Sequence, residues 1–157
     1  MATPSLNKPD GEAVVDVRVY FEPIVAWRAW RVDNEGRYGL QLRSITYPVH
    51  WPFRKPIRAH CMTQIKGNKV VHPHSGAPHV AHGCGIYSVK EREHLARWAV
   101  GKILLAEAGI VGQVSLWGDI VEFTQGYLAE YAYPKAFASM GPIAEELAYL
   151  YGVPLID

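Results

Sequence analysis

At 157 residues, 49% of them hydrophobic and 20% charged, the chain has the length and balance of one folded domain with its own core. No apolar run follows basic residues at the start, and the longest apolar stretch, 98–111, is broken by Lys102 and Glu107. A cytoplasmic protein without a membrane segment is therefore expected, and its two cysteines read as thiols or metal ligands rather than a disulfide. Net charge is +1, but it is unevenly spread: 36–90 holds no Asp or Glu and carries +8, together with six of the seven histidines, while the rest of the chain sums to −7. Such segregation predicts a local positive field unless the fold interleaves the two parts.

Residues 1–13 read as a disordered tail, and 14–157 as a single α+β domain. From Val14 the run VVDVRVYFEPIVAWRAWRV is rich in β-branched and aromatic residues that alternate with charged ones, which predicts two strands divided near Pro23. Asp33-Asn34-Glu35-Gly36 reads as a turn, and 38–47 as a third strand.

The segment 48–85 is a long Pro/His-rich loop. Its five prolines and its glycines at 67, 76, 83 and 85 disfavour long regular elements, although Lys66-Gly67-Asn68-Lys69 suits a hairpin. A loop of this length inside a compact domain needs an anchor, either the packing of Trp51 and Phe53 or a bound ion.

Residues 85–89 form a short strand candidate. Ser88 with Glu91 has the spacing of a capping box, which predicts a helix running to about Ala108 and stopping at Gly109. Residues 111–117, 120–124 and 127–133 read as strands, the last two joined at Gln125-Gly126. Pro142 suits the first turn of a second helix that ends at Gly152. The fold expected is α+β: a mainly antiparallel sheet, open to curling into a partial barrel, with two helices and the embedded loop.

The chemistry-bearing cluster lies in that loop. Zinc prefers thiolate and imidazole, and a site closed by four such ligands holds loops in place. His79, His82 and Cys84 are close in sequence, Gly83 and Gly85 let the backbone turn between them, and Cys61 is the distant fourth donor, with His74 as an alternative. The lack of nearby carboxylates argues against calcium or magnesium. The bland reading is a surface loop with two buried, inert cysteines. An open site with three protein ligands would instead activate water beside an acid such as Asp119, Glu122 or Glu130, the reading of a small metal-dependent hydrolase.

No dinucleotide, P-loop, zincin, hydrolase-elbow or deaminase signature occurs. A Cys–His nucleophile pair is a weaker alternative. Aromatic residues interleaved with basic ones predict a nucleic-acid contact set of Arg28, Arg31, Trp51, Arg54, Lys55 and Arg58, against the reading that the tryptophans are core. The tyrosines of 127–133 would also suit a protein-binding face.

AWRAWRV at 26–32, LRSITYP with a following WP, AHC at 59–61, CGIY at 84–87, VSLWGDIVEF and GYLAEYAYP together resemble a group of uncharacterised proteins from actinobacteria and their phages. In that group the position of His82 often carries Cys, an equivalent zinc donor. The resemblance implies a shared fold and host range and brings no activity. The function expected is a non-catalytic, zinc-stabilised binding domain, regulatory in role, that engages nucleic acid or a partner protein. The alternatives are the metal-dependent hydrolase and a phage-type protein that binds and inhibits a host protein.

Overall fold

A computed structural model of the chain describes residues 12–36, 39–45, 49–60, 65–66, 69–70, 77–78, 84–95 and 109–157. Three long strands dominate them: β1 (Val14–Gly36), β7 (Gly109–Phe123) and β8 (Gly126–Phe137). The shorter strands are β2 (Gly39–Arg43), β3 (Ile57–Arg58), β4 (Ile65–Lys66), β5 (Lys69–Val70) and β6 (Ile86–Val89), and α1 (Pro142–Tyr151) follows β8.

The breaks foreseen inside β1 and β7 are bulges rather than strand ends. Register along the β1–β7 pair shifts between Tyr20 and Ile24, and β7 shifts against β8 between Trp117 and Ile120. These irregularities meet, because Tyr20 pairs with Gly118 and Ile24 with Leu116. An extra residue bends a strand without ending it. Gly118 has φ +80, and a Cβ there would meet Glu130 Oε1 at 2.6 Å and Tyr131 Cδ2 at 2.8 Å, so only glycine fits the bend.

Pairing is antiparallel between all the described strands, and its path closes on itself. β1 pairs with β7, β7 with β8, and β8 with β6, whose Val89 returns to Trp27 of β1. β2 continues the β1 edge beyond Trp27, and β3 lines β8 at Ala132 and Tyr131. β4 and β5 pair on either side of Gly67 and Asn68 in a separate small sheet.

The main core lies on one face of this sheet: Ala26, Trp30, Leu42, Val114, Leu116, Ile120, Ala132 and Phe137, closed by Trp51 and by Leu147 and Tyr151 of α1. Trp30 meets Trp51 and Phe137 edge to face, at 5.4 and 5.8 Å between centroids. A smaller cluster of Ala29, Tyr87, Val89, Leu95, Val121, Phe123 and Leu128 occupies the other face. α1 ends where expected. Gly152 takes the left-handed conformation (φ 68), and its N–H donates to carbonyls of the last turn.

The two-helix expectation is corrected. Among the described residues α1 is the single α-helix, and the fold is far richer in strand than an evenly mixed α+β plan. Ser88, expected to cap a helix, instead points into the sheet from β6 opposite Tyr127, buried at 1% exposure. Ladder pairing with β8 prevails over local capping at Ser88, and Glu91 precedes a short 3₁₀ turn, Arg92–His94. The continuation of the expected helix, 96–108, lies outside the described residues.

Most of the expected tail also lies outside them. Its last two residues are held to the sheet: Glu12 accepts from Tyr87 Oη at 2.8 Å and Gln125 N at 2.6 Å, and Ala13 O accepts from Thr124 N.

Candidate functional site

A cleft of about 510 Å³ opens where the chain between β2 and β3 crosses the outward side of β7 and β8. Arg54, Lys55 and Pro56 form one side, while Ser115, Trp117, Tyr133 and Tyr151 form the other. Ser115 and Trp117 alternate along β7, and their partners on β8 are Tyr133 and Tyr131. Period-two alternation in paired strands thus gathers three aromatic side chains in one band. Trp117 stacks on Tyr131 at 5.9 Å with 13° between the rings, and the Arg58 guanidinium sits 5.6 Å from the Tyr131 ring centroid.

The basic side is positioned by hydrogen bonds. Arg54 is left-handed (φ 55), and its N–H donates to Tyr133 Oη at 2.9 Å. Tyr133 Oη in turn donates to Tyr151 O at 2.6 Å, which ties the loop to the end of α1. Burial pushes the Tyr133 hydroxyl above its ordinary pKa, so it stays a neutral donor. Arg54 Nη2 donates to Tyr149 O at 3.1 Å, placing a cation at the negative end of α1. Arg58 pairs with Glu130 at 3.2 Å, and the same carboxylate accepts from Asp119 N at the β7 bulge. Lys55 is exposed and makes no ion pair among the described residues. The arrangement offers flat aromatic surface next to three cations, with Glu130 offsetting one of them.

The six residues expected to contact nucleic acid separate sharply. Arg54, Lys55 and Arg58 are exposed, the first two lining the cleft and Arg58 lying against Tyr131, whereas Arg28 and Trp51 are buried, at 6% and 1% exposure. Arg28 donates to Tyr87 O and Ser44 Oγ and lies 5.2 Å from the Trp51 ring centroid, and Trp51 Nε1 donates to Ser44 Oγ. Burial lowers the Arg28 pKa to about 10. This pair is core, and no ligand reaches it. Arg31 is half-buried on β1, paired with Arg43 of β2 and Gly109 of β7, away from the cleft residues. Trp117 and Tyr133 line the cleft and are not among the six. Their signal was the matching alternation of Ser115/Trp117 and Tyr131/Tyr133 in two adjacent strands.

Of the expected zinc ligands, Cys61, His74, His79 and His82 lie outside the described residues. Cys84 is buried at 1% exposure in the main core, immediately before β6. Among the described residues no three His, Cys, Asp or Glu side chains come together. Of the three carboxylates considered for hydrolysis, Glu130 holds Arg58 and Glu122 pairs with Lys90, while Asp119 is exposed at the β7 bulge.

No family model, curated protein or solved structure matches the chain. The site is therefore read from its own chemistry.

Proposed function

We propose that the chain is a non-catalytic binding domain that takes single-stranded nucleic acid into the Arg54–Lys55–Trp117–Tyr133 cleft. The observation that carries this reading is the pairing of cations with outward-facing aromatic rings on a rigid sheet. Every base presents a π-face to stack on an indole, and every linkage presents a phosphate to a cation, so the combination binds without base readout. Lys55 and the rims of Arg54 and Arg58 meet phosphates, while Trp117 with Tyr131 forms the stacking platform.

Titration of the tryptophan fluorescence with oligo-dT at two salt concentrations tests it. Three phosphate contacts on a single strand predict a log K against log salt slope of about −2. Trp117→Ala should cost about 1–3 kcal/mol of binding, and Lys55→Ala should reduce the salt slope by roughly 1. Binding that is absent, or indifferent to salt and to Trp117, removes the reading.

Zinc enters as the anchor of the Pro/His-rich loop, with Cys61, His79, His82 and Cys84 as donors. The soft sulfur and nitrogen donor set supports zinc over harder cations. Elemental analysis should find one zinc per chain, and metal-free protein with both thiols reactive would exclude it.

A further inference from the structure

The 14–20 stretch of β1 pairs along one edge, and no described strand pairs with the other. Residues 14–20 pair with β7 on one side. On the opposite side β6 meets β1 only at Trp27, and β2 only from Arg31 onward, so among the described residues no strand pairs with that edge between 14 and 20. The N–H of Val17 donates instead to the carboxylate of its neighbour Asp16, at 2.9 Å. The same stretch carries an apolar stripe: Val15, Val17 and Val19 are 60%, 59% and 52% exposed, and Phe21 beyond them is 91% exposed. Alternation puts Val17 and Val19 on one face, with Asp16 and Arg18 on the other, while Val15 lies at a bulge between Val14 and Asp16. An open edge beside exposed β-branched residues is the configuration that natural sheets usually blunt with charge, proline or cover.

We propose that this edge is the interface for a second copy of the chain, adding β1 to β1 in antiparallel register about Val17. The sequence itself selects this occupant. A two-fold axis through Val17 sets the two Val17 side chains opposite each other with Val19 beside them, so valines line one face of the joined sheet. On the other face it places Asp16 opposite the partner's Arg18, twice. These two side chains now pair with each other within one chain, 2.5 Å apart, with the Arg18 side chain 61% exposed. In the dimer they form a four-charge ring in which each charge has two opposite neighbours. A shift of register by one residue sets valine against charge and turns the stripe to the wrong face. The bulge after Tyr20 ends the pairing window, so the added ladder is short and the association is reversible. The interface is isologous and joins two sheets into one, with the nucleic-acid cleft lying on β7 and β8 and so outside it.

Sedimentation equilibrium of the full chain over micromolar to submillimolar concentration tests the interface. Wild type should associate reversibly to a dimer. Asp16→Lys sets a new ammonium against the partner's Arg18, and Arg18→Asp sets a new carboxylate against the partner's Asp16. Each variant alone should therefore weaken self-association at least about tenfold, with its circular dichroism unchanged because both side chains lie at the surface. An equimolar mixture of the two should recover the dimer, since both cross-pairs are then opposite in sign, and the double variant in one chain should dimerise by itself. Any of three results overturns the proposal: wild type monomeric throughout, a dimer that survives in both single variants, or a mixture that stays monomeric. Only cross-chain pairing of these two positions explains recovery on mixing.

Discussion

A single side chain, Arg28, shows how far a local pattern and its environment diverge. Within AWRAWR it reads as one of several outward cations, yet it lies in the core, bonded to Tyr87 O and Ser44 Oγ and packed on Trp51. Removing a buried hydrogen-bonding cation strands its acceptors and leaves a void. Arg28→Ala should therefore cost about 2–4 kcal/mol in chemical denaturation. Arg28→Met, which refills the volume, should recover a good part of that loss. Alternation correctly separates Trp27 from Arg28, but it does not reveal that both faces of β1 are covered at this point. Arginine is rarely buried, so that outcome runs against the prior. Arg54, Lys55 and Arg58 were legible as exposed cations, because long charged side chains without a buried partner stay in water.

At the level of elements, most strand positions could be read from β-branched alternation, and α1 from Pro142 and Gly152. Continuity could not. Pro23 and Gly118 are signals for the end of a strand, and in an isolated strand they would be; here each is tolerated because the neighbouring strand bends at the same level. The capping role read at Ser88 failed for a related reason, since capping chemistry is local whereas the pairing of β6 with β8 is not. Two glycines carry testable weight. Gly118→Ala must push Glu130 and Tyr131 aside and adopt φ +80, so a loss of about 1–3 kcal/mol and weaker oligonucleotide binding are expected together. Gly152→Ala keeps the strain of φ +68 and crowds Arg54 Nη1 at 3.0 Å, for about 1 kcal/mol by thermal melting.

For the whole molecule, the segregated charge of the sequence is partly cancelled on folding. Lys90 and Arg58, from the acid-free segment, pair with Glu122 and Glu130 from the acidic remainder. Among the described residues Arg54 and Lys55 of that segment have no acidic partner, a distribution that depends on topology and so escapes a reading in chain order. Alkaline stability is also a property of the whole. Burial raises the hydroxyl pKa of Tyr87, assisted by the Glu12 carboxylate it donates to, and burial likewise raises that of Tyr151. Above their unfolded pKa near 10 the unfolded chain releases these protons while the folded chain keeps them, so each tyrosine lowers stability by up to about 1.4 kcal/mol per pH unit. Arg28 acts in the opposite direction from pH 10 upward, because its folded form gives up the proton first. The raised tyrosines, Tyr127 and Tyr133 included, outnumber the one arginine and predict a net fall in stability above pH 10. Tyr151→Phe should flatten that fall in urea titrations at successive pH values.

The closed path of strand pairing has a further meaning when set in time rather than space. β1 comes first in chain order among the described strands, and its long partner β7 follows only after the entire Pro/His-rich segment. Until Gly109–Phe123 emerges, the valines of β1 have neither of their edges covered, and the ring cannot close before β8 is also complete. Folding dominated by such distant pairings is slow, in the millisecond to second range of sheet proteins, and leaves an adhesive strand waiting. The Asp16–Arg18 pair flanking Val17 then serves the nascent chain as well as the finished one, by keeping charge beside the segment most prone to join with a wrong neighbour.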